Sequence, residues 1–378
     1  MKLTTDTQSL AQAIALASRA VPSRTTRPIL GNLLLEASGE DLRITGFNES
    51  LGIACTVPAT VQQIGEVTVP AKLLSDLVSR LPGGVVALDL DPETHQLSLD
   101  TLGGTYKVST LPAEDYPAIP QPEHPLVFTM PAPDLLDRLK FVAPAVSGDE
   151  TKQVLTGAHL SCSADGLDFA ATDGHRLALF DSEGPTERFD VTIPGSALRA
   201  ITDAFKGHQG DVTVTLDEPS SLQVLAQFEV PGYRVSTRLI DGQYPQYRKL
   251  LPEKFGSQIE LDRKPVIEAL ERVAVLASQK NNILKLDCQD GYLVISCEAA
   301  GLGSAKETLT APLIGDPVTL AFNSDYLLEG LRAFPQDTVY LHLNTPTSPV
   351  VLQGPGPERR CLIMPVQIRE QPGGQGYE

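Results

Sequence analysis

The sequence predicts an α+β fold in which one unit, two helices laid on antiparallel sheets, is used three times over. Three observations point there. A strand leading through a turn residue into an amphipathic helix, VTVPAKLLSDLVSRLP at Val67 to Pro82, recurs as VTIPGSALRAITDAF at Val191 to Phe205 and VTLAFNSDYLLEGLRAFP at Val318 to Pro335. Each third of the chain opens with a short strand and a helix, from Leu3, Phe128 and Ile259, offsets of 125 and 131 residues. Between these helices every third carries a hairpin whose glycine-containing, acidic turn separates two alternating runs.

Pro70 and Pro194 sit where a helix begins, a position proline tolerates because the first helical N–H has no partner. Asn323 takes that place in the third copy and is expected to cap the helix with its side chain. Counting from these three, the fourth residue on is Leu74, Leu198 and Leu327, and the eleventh is Leu81, Phe205 and Phe334, so two core positions recur. In the first copy the stripe reads Leu73, Leu74, Leu77 and Leu81, with Lys72, Asp76 and Arg80 opposite. Gly330 replaces Leu77 and Ile201, which makes the third copy the least regular. The opening helix has the stripe Leu10, Ala13, Ile14, Ala17 and Val21, with Gln8, Gln12 and Arg19 opposite.

The hairpin turns fall at Ser38 to Asp41, Ala164 to Gly166 and Gln289 to Gly291, and a further strand pair closes each unit, with VSTLP and VSTRL as near-copies. The proline-rich stretch from Pro112 to Pro125 and IDGQYPQYRKLLPEKFG from Ile240 to Gly256 read as linkers. The expected domains are 1–124, 125–256 with the linker 240–256 at its end, and 257–368, followed by a disordered C-terminal tail, 369–378.

With 42% hydrophobic and 20% charged residues the composition is that of a soluble globular protein, and no apolar run reaches the length of a membrane span or a signal peptide, so the expected location is the cytoplasm. Five cysteines without a C-x-x-C pair argue against disulfides and zinc; six scattered histidines add no ligand pair, and neither metal nor cofactor is expected. No phosphate-loop, dinucleotide, acyl-enzyme or zinc-hydrolase motif occurs, and no catalytic residue is assigned. Asp173-Gly174-His175 admits an acid/base reading, but Asp-Gly is a turn signal and no nucleophile accompanies it. The formal charge of −17 argues, taken alone, against nucleic acid as a partner. Net charge is not distribution, however: every one of the six expected helices carries a cation off its apolar stripe or near an end. Each cation taken singly also reads as part of a solvated face.

TDGHRL at Thr172 to Leu177, DGQYPQYRKLLP at Asp241 to Pro252 and MPV at Met364 to Val366 resemble the three signature segments of the bacterial sliding clamp family, the β subunit of DNA polymerase III, and PILGNLLLE at Pro28 to Glu36 is similar to its first-domain hairpin. The resemblance runs in order to about Ile368. It implies a non-catalytic processivity factor: a head-to-tail homodimeric ring of six clamp-type domains around duplex DNA, bound without sequence preference, with helices lining the hole. The alternative is an acidic repeat scaffold that binds proteins but not DNA.

Residue by residue, the resemblance implies a DNA-facing set of Arg19, Arg24 in the loop SRTTRP, Lys72, Arg80, Arg138, Lys140, Arg199, Lys206, Lys264, Arg272 and Arg332. It implies a groove for a short apolar peptide of the replicative polymerase, the clamp loader and other clamp-motif proteins. The groove residues are Leu155, Thr172, Gly174, His175, Arg176, Leu177, Pro245, Lys249, Leu250, Leu362, Met364, Pro365 and Val366, an apolar set with cations at its border; Met364-Pro365 also reads as an ordinary strand end. Gln367 stands where the family usually has arginine, and Val154 where it often has an aromatic residue. Tyr106, Val108, Val275 and Leu276 match dimer-seam positions, with an ordinary core role as the alternative.

Overall fold

A computed structural model describes residues 1–122, 125–184, 187–217, 224–279, 281–299 and 301–367; the tail expected at 369–378 lies outside them. The chain forms two compact units, Met1–Asp137 with Ile193–Asp241, and Arg138–Thr192 with Gly242 onward. The repeats and the compact units therefore divide the chain differently, and sheet pairing gives the reason. The closing strand of the second repeat, Tyr233–Arg238, pairs with Leu51–Gln63 of the first. The closing strand of the third, Arg359–Ile363, pairs with Arg176–Ser182 of the second. These two sheets thus run through a repeat boundary.

In the first unit a twelve-stranded sheet is built among the described residues. Its path runs Gly104–Ser109, Gln96–Thr101, Val85–Asp91, Lys2–Asp6, Leu51–Gln63, Tyr233–Arg238, Leu225–Val230, Asp211–Asp217 and Pro125–Pro131. The hairpin Asn32–Ser38 with Asp41–Phe47, and Gly65–Pro70 beside it, join at Leu51–Gln63. Helices α1 (Thr7–Ala17) and α2 (Ala71–Val78) pack on one another, and α1 also meets α4 (Gly195–Ala204). Leu3, Leu10, Ile14, Leu33, Leu35, Leu42, Ile44, Phe205 and Phe228 form the fully buried heart of the unit.

The second unit holds a nine-stranded sheet in the order Phe189–Pro194, Gly157–Ser163, Gly166–Thr172, Arg176–Ser182, Arg359–Ile363, Val350–Gln353, Thr338–Leu343, Ser257–Asp262 and Leu313–Ile314. Beside it lies a four-stranded sheet, Gly303–Thr310, Tyr292–Ala299, Ile283–Gln289 and Val318–Asn323. Helices α5 (Arg263–Ala277) and α6 (Ser324–Ala333) pack together in this unit, and α3 spans Ala132–Val142.

The helix starts hold, while two expected stripes end early: that of α1 stops at Ala17, with Val21 beyond the helix and half-buried. Pro70 and Pro194 stand at the N-caps of α2 and α4, and Asn323 caps α6 by accepting the N–H of Asp325 at 2.9 Å. Asp6 caps α1 in the same way, accepting from Ser9 N–H at 2.8 Å. The stripe of α2 is Ala71, Leu74 and Val78 rather than Leu73, Leu74, Leu77 and Leu81: the helix ends at Val78, and Leu73 points outward, 52% exposed. Gly330 has a packing reason. A Cβ there would lie 3.0 Å from Leu352 Cδ1 and 3.2 Å from Cys361 Sγ, so glycine lets α6 approach the sheet closely.

All five cysteines are free and buried. Among the described residues no cluster of three potential metal ligands occurs, and no helix is long and apolar enough to cross a membrane.

Candidate functional site

The strand Gly166–Thr172 turns into Arg176–Ser182 through Asp173-Gly174-His175. Asp173 Oδ1 accepts the N–H groups of His175 (2.8 Å) and Arg176 (3.0 Å), and Gly174 sits at φ 93°, a left-handed value suited to glycine. Thr172 Oγ1 donates to the Arg176 carbonyl at 2.6 Å and accepts the Gly174 N–H at 3.1 Å. The turn reading of Asp173-Gly174 is therefore the one realised, and the other carboxylate oxygen of Asp173 takes Arg176 Nε at 3.1 Å.

Arg176 bolts this turn in place. Its Nη2 donates to the Pro144 carbonyl at 2.5 Å, its Nη1 pairs with Glu329 on α6, and its guanidinium lies 4.6 Å from the Tyr326 ring centre. Burial opposes the charge, but Glu329 and Asp173 outweigh it and hold the guanidinium pKa above its usual value. His175 stacks on the same Tyr326 ring, 6.2 Å between centres and 16° between planes.

Beside the turn lies an apolar floor. Leu177 and Leu362 are buried with Ala170, Leu179, Tyr244, Tyr247 and Val351 in one cluster, and Val154, Leu155, Leu251 and Phe255 pack on it half-buried. Thr172 is buried as well, so Thr172, Leu177 and Leu362 belong to the floor and not to the walls. The rim is exposed: Gly174, His175, Pro245, Lys249, Leu250 at 49% and Met364 at 40%, with Pro365 and Val366 half-buried. Two backbone bonds hold the last rim segment, Met364 N–H to the His175 carbonyl (2.9 Å) and Val366 N–H to the Ala321 carbonyl (2.7 Å). The expected groove residues thus come together in one unit.

Sequence reasoning passed over what fixes them from behind. Asp168, buried, accepts Tyr247 Oη at 2.8 Å and Arg248 at 2.8 Å (Nε) and 2.5 Å (Nη2). Arg248 also reaches Asp181 at 2.8 Å, and Asp181 pairs with Arg360. Burial raises the Asp181 pKa against the pull of both arginines. Tyr244 Oη accepts Thr172 N–H at 3.0 Å, and its ring stacks on His159 at 4.7 Å and 10°. Burial lowers the pKa of His159, although Asp190 and Asp168 pull the other way. Leu251 and Phe255, and Tyr326 beside the N-cap of α6, also escaped notice. The linker LLPEKF and the helix start NSDY are apolar or aromatic groups at turn and cap positions, the one signal that pointed to them.

Ten of the eleven expected DNA-facing cations divide into two groups. Arg19 pairs with Asp203, Arg80 with Asp76 at 3.7 Å, Lys264 with Asp337 at 3.1 Å, Arg272 with Glu307 at 2.6 Å and Arg332 with Glu271 at 2.5 Å. Arg24, Lys72, Lys140, Arg199 and Lys206 are exposed and have no carboxylate partner among the described residues. Arg138 stands apart: it is half-buried, its guanidinium 5.5 Å from the Phe180 ring centre and 6.0 Å from that of Phe169, aromatic faces that attract a cation. Of the seam residues, Tyr106 and Val275 are exposed, Leu276 is half-buried and Val108 is 3% exposed. Val108 is therefore buried within its own unit, paired opposite Leu97 in its sheet.

Residues 1–120, 130–246 and 248–367 match, in order, the family models of the DNA polymerase III beta subunit N-terminal, central and C-terminal domains. The beta sliding clamps of Synechococcus elongatus and Synechocystis are each 39% identical to this chain, over 98% and 97% of it and the whole of their own length. The solved structure of the DNA polymerase sliding clamp from Bacillus subtilis is similar with a TM-score of 0.89 at 26% identity, covering 98% of this chain and 100% of that one. With all three of its domains matched in order along nearly the full length, the chain belongs to the DNA polymerase III beta subunit family, that of the beta sliding clamps.

Proposed function

We propose that the chain is a DNA polymerase processivity factor: two copies close head to tail into a ring around duplex DNA, and a short apolar peptide of each client enzyme docks in the groove at His175, Arg176 and Met364. The domains are those read by repeat, 1–124, 125–256 and 257–368. The ring carries out no chemistry of its own, and it works in the cytoplasm at the nucleoid.

The observation that carries the ring is the rule by which strands join. The closing strand of the second repeat pairs with the third hairpin strand of the first, and the closing strand of the third repeat with the corresponding strand of the second. Two strands of those classes are left over. Gly104–Ser109 ends the sheet of the first unit, and Gly303–Thr310 ends the four-stranded sheet of the second. The sequence makes the point sharper, because VSTLP and VSTRL are near-copies and only the second has found its neighbour. An exposed edge strand invites pairing, and a second copy supplies the missing edge twice, once at each seam. Val275 and Tyr106, large and exposed, would be covered there.

The groove reading is supported by an exposed apolar rim over a buried apolar floor, bordered by cations. Met364 and Leu250 adapt to different side chains, while Lys249 and His175 address a backbone or a carboxylate. The exposed cations Arg24, Lys72, Lys140, Arg199 and Lys206 support contact with phosphates, which carries no sequence information and leaves the ring free to slide.

The test is topological. Loaded onto nicked circular DNA, the protein should remain bound, and it should be lost quickly once the circle is cut; equal loss before and after cutting refutes the ring. The acidic protein scaffold predicts a monomer in sedimentation and no retention on either DNA.

A further inference from the structure

The first unit carries a second copy of the turn that frames the groove. Asn48 Oδ1 accepts the N–H groups of Ser50 (3.0 Å) and Leu51 (2.7 Å), as Asp173 Oδ1 accepts those of His175 and Arg176. The middle residue, Glu49, is held at φ 72°, against 93° for Gly174. A non-glycine residue keeps such a conformation only where its surroundings impose it.

Beyond the turn the correspondence continues. Arg238 N–H donates to the Ser50 carbonyl at 2.8 Å, as Met364 N–H donates to the His175 carbonyl at 2.9 Å. A Tyr-Pro pair follows in both linkers, and each tyrosine hydroxyl is tied to the backbone of the hairpin before it. Tyr116 Oη donates to the Thr45 carbonyl at 3.3 Å, and Tyr244 Oη accepts Thr172 N–H at 3.0 Å. Position for position, Ser50 stands at His175, Gly52 at Leu177 and Arg238 at Met364.

The space so framed is a cavity of about 530 Å³ lined by Phe47, Glu49, Pro117, Ala118, Pro120 and Arg238, among others. Its chemistry differs from that of the groove. Gly52 leaves the floor without a leucine, and Ile119 has moved into the space, since a Cβ on Gly52 would lie 2.6 Å from Ile119 Cδ1. The exposed apolar Met364 is replaced by an exposed guanidinium with no carboxylate partner among the described residues. Glu49 is already engaged by Arg27 at 2.7 Å.

We infer that this joint is a second peptide-docking site, shallow and cationic. Its occupant is an extended segment of a partner protein that carries a carboxylate next to proline or small apolar residues. Arg238 receives the carboxylate in a charge-assisted bond, and Phe47, Pro117 and Pro120 give the flanking residues a low apolar wall. With Glu49 engaged by Arg27, Arg238 is the cation of the lining left to a ligand, and one guanidinium matches a single carboxylate better than the run of charges on a nucleic acid. The inference rests on the groove reading, because equivalence to that groove is what marks the cavity as a peptide site.

The immobilised full chain is panned with a random linear-peptide library displayed on phage, and enriched peptides are synthesised and measured against Arg238→Glu, Arg238→Gln and Met364→Ala. Two classes are expected. One, rich in Asp and Glu, loses about tenfold or more in affinity with either Arg238 variant and is indifferent to Met364→Ala. The other has the reverse dependence. If every peptide depends on Met364 and none on Arg238, the second site is overturned and the groove stands. If none depends on Met364, the groove reading falls, whatever Arg238 does. Arg238-dependent peptides without acidic residues, or an Arg238-dependent affinity for an oligonucleotide in place of peptides, overturn the occupant assigned here.

Discussion

Met364→Ala and Leu177→Ala separate the groove's rim from its floor. Met364 is 40% exposed beside the proposed peptide path, whereas Leu177 is 1% exposed in the apolar cluster beneath it. Burying a whole Met side chain is worth about 1.5–3 kcal/mol, so covering the part still exposed contributes roughly 1 kcal/mol to docking, or about fivefold in Kd. The truncation leaves the fold nearly untouched, because what it removes faces solvent in the free protein and the backbone bond from Met364 N–H to His175 remains. Leu177→Ala acts elsewhere: a leucine truncated in a packed core costs about 2–5 kcal/mol of stability, and the cavity it leaves loosens the seat of Tyr244 and Tyr247. Its effect on docking is indirect.

The assay is a peptide titration by fluorescence anisotropy, with thermal melting of the same samples. Met364→Ala should weaken binding about fivefold at an unchanged melting temperature. Leu177→Ala should lower the melting temperature by several degrees. Two results would refute the reasoning. Unchanged affinity for Met364→Ala shows that the peptide does not cross this rim, and a large fall in its melting temperature shows that the side chain is structural after all.

His159 is buried against Asp190, Thr192, Tyr244, Tyr247 and Asp168 with its pKa lowered from 6.5, so the unfolded chain takes up a proton that the folded chain resists. Stability should be full above pH 6.5 and fall as the pH drops below it, and His159→Gln should flatten that slope in melting curves taken against pH. Val275→Asp places an unpaired charge on an exposed apolar position of α5 and should weaken the dimer by about tenfold or more in sedimentation, with melting of the monomer unchanged. Arg199→Glu with Lys206→Glu removes two unpaired cations, so the slope of log affinity for linear duplex DNA against log salt should fall by about 0.9 for each phosphate that the variant no longer engages, while retention on closed circles persists.

The fold was legible in the sequence because it is repeated. A single strand-Pro-helix signal at Pro70 is weak, but the same construction at Pro194 and, through a capping asparagine, at Asn323 fixes three helix starts at once. Helix ends were less legible. α2 stops at Val78 because Ser79 to Leu81 turn away, and a run of leucines carries no mark of that. The groove was legible by its motif residues, since Asp173-Gly174 is a local turn signal and Met364-Pro365 a strand end. Its support was not: Asp168 and Arg248 are eighty residues apart, and no local pattern relates a strand carboxylate to a linker guanidinium. Arg138 shows the same limit from the other side. Three residues after buried Leu135 and four before buried Val142, it stands on the flank of the apolar stripe, but nothing local shows that its guanidinium meets the rings of Phe169 and Phe180.

The charge distribution bears on how an acidic protein holds an acidic polymer without gripping it. About half of the cations assigned to the DNA face are already paired with carboxylates, at exposed positions where such a pair contributes about 0–1 kcal/mol. Replacing Asp203 beside Arg19, or Glu271 beside Arg332, by a passing phosphate therefore costs little and gains little. The exchange is reversible at every step of the duplex. On the proposed DNA face, cations with no carboxylate partner among the described residues, such as Arg199 and Lys206, would supply a modest net attraction and follow the backbone without reading a base. A surface of unpaired arginines would bind more tightly and slow the movement that a sliding ring exists to permit. In the proposed ring, partial self-neutralisation would leave retention to closure, and so to the edge strands Gly104–Ser109 and Gly303–Thr310 rather than to any single cation on the helices.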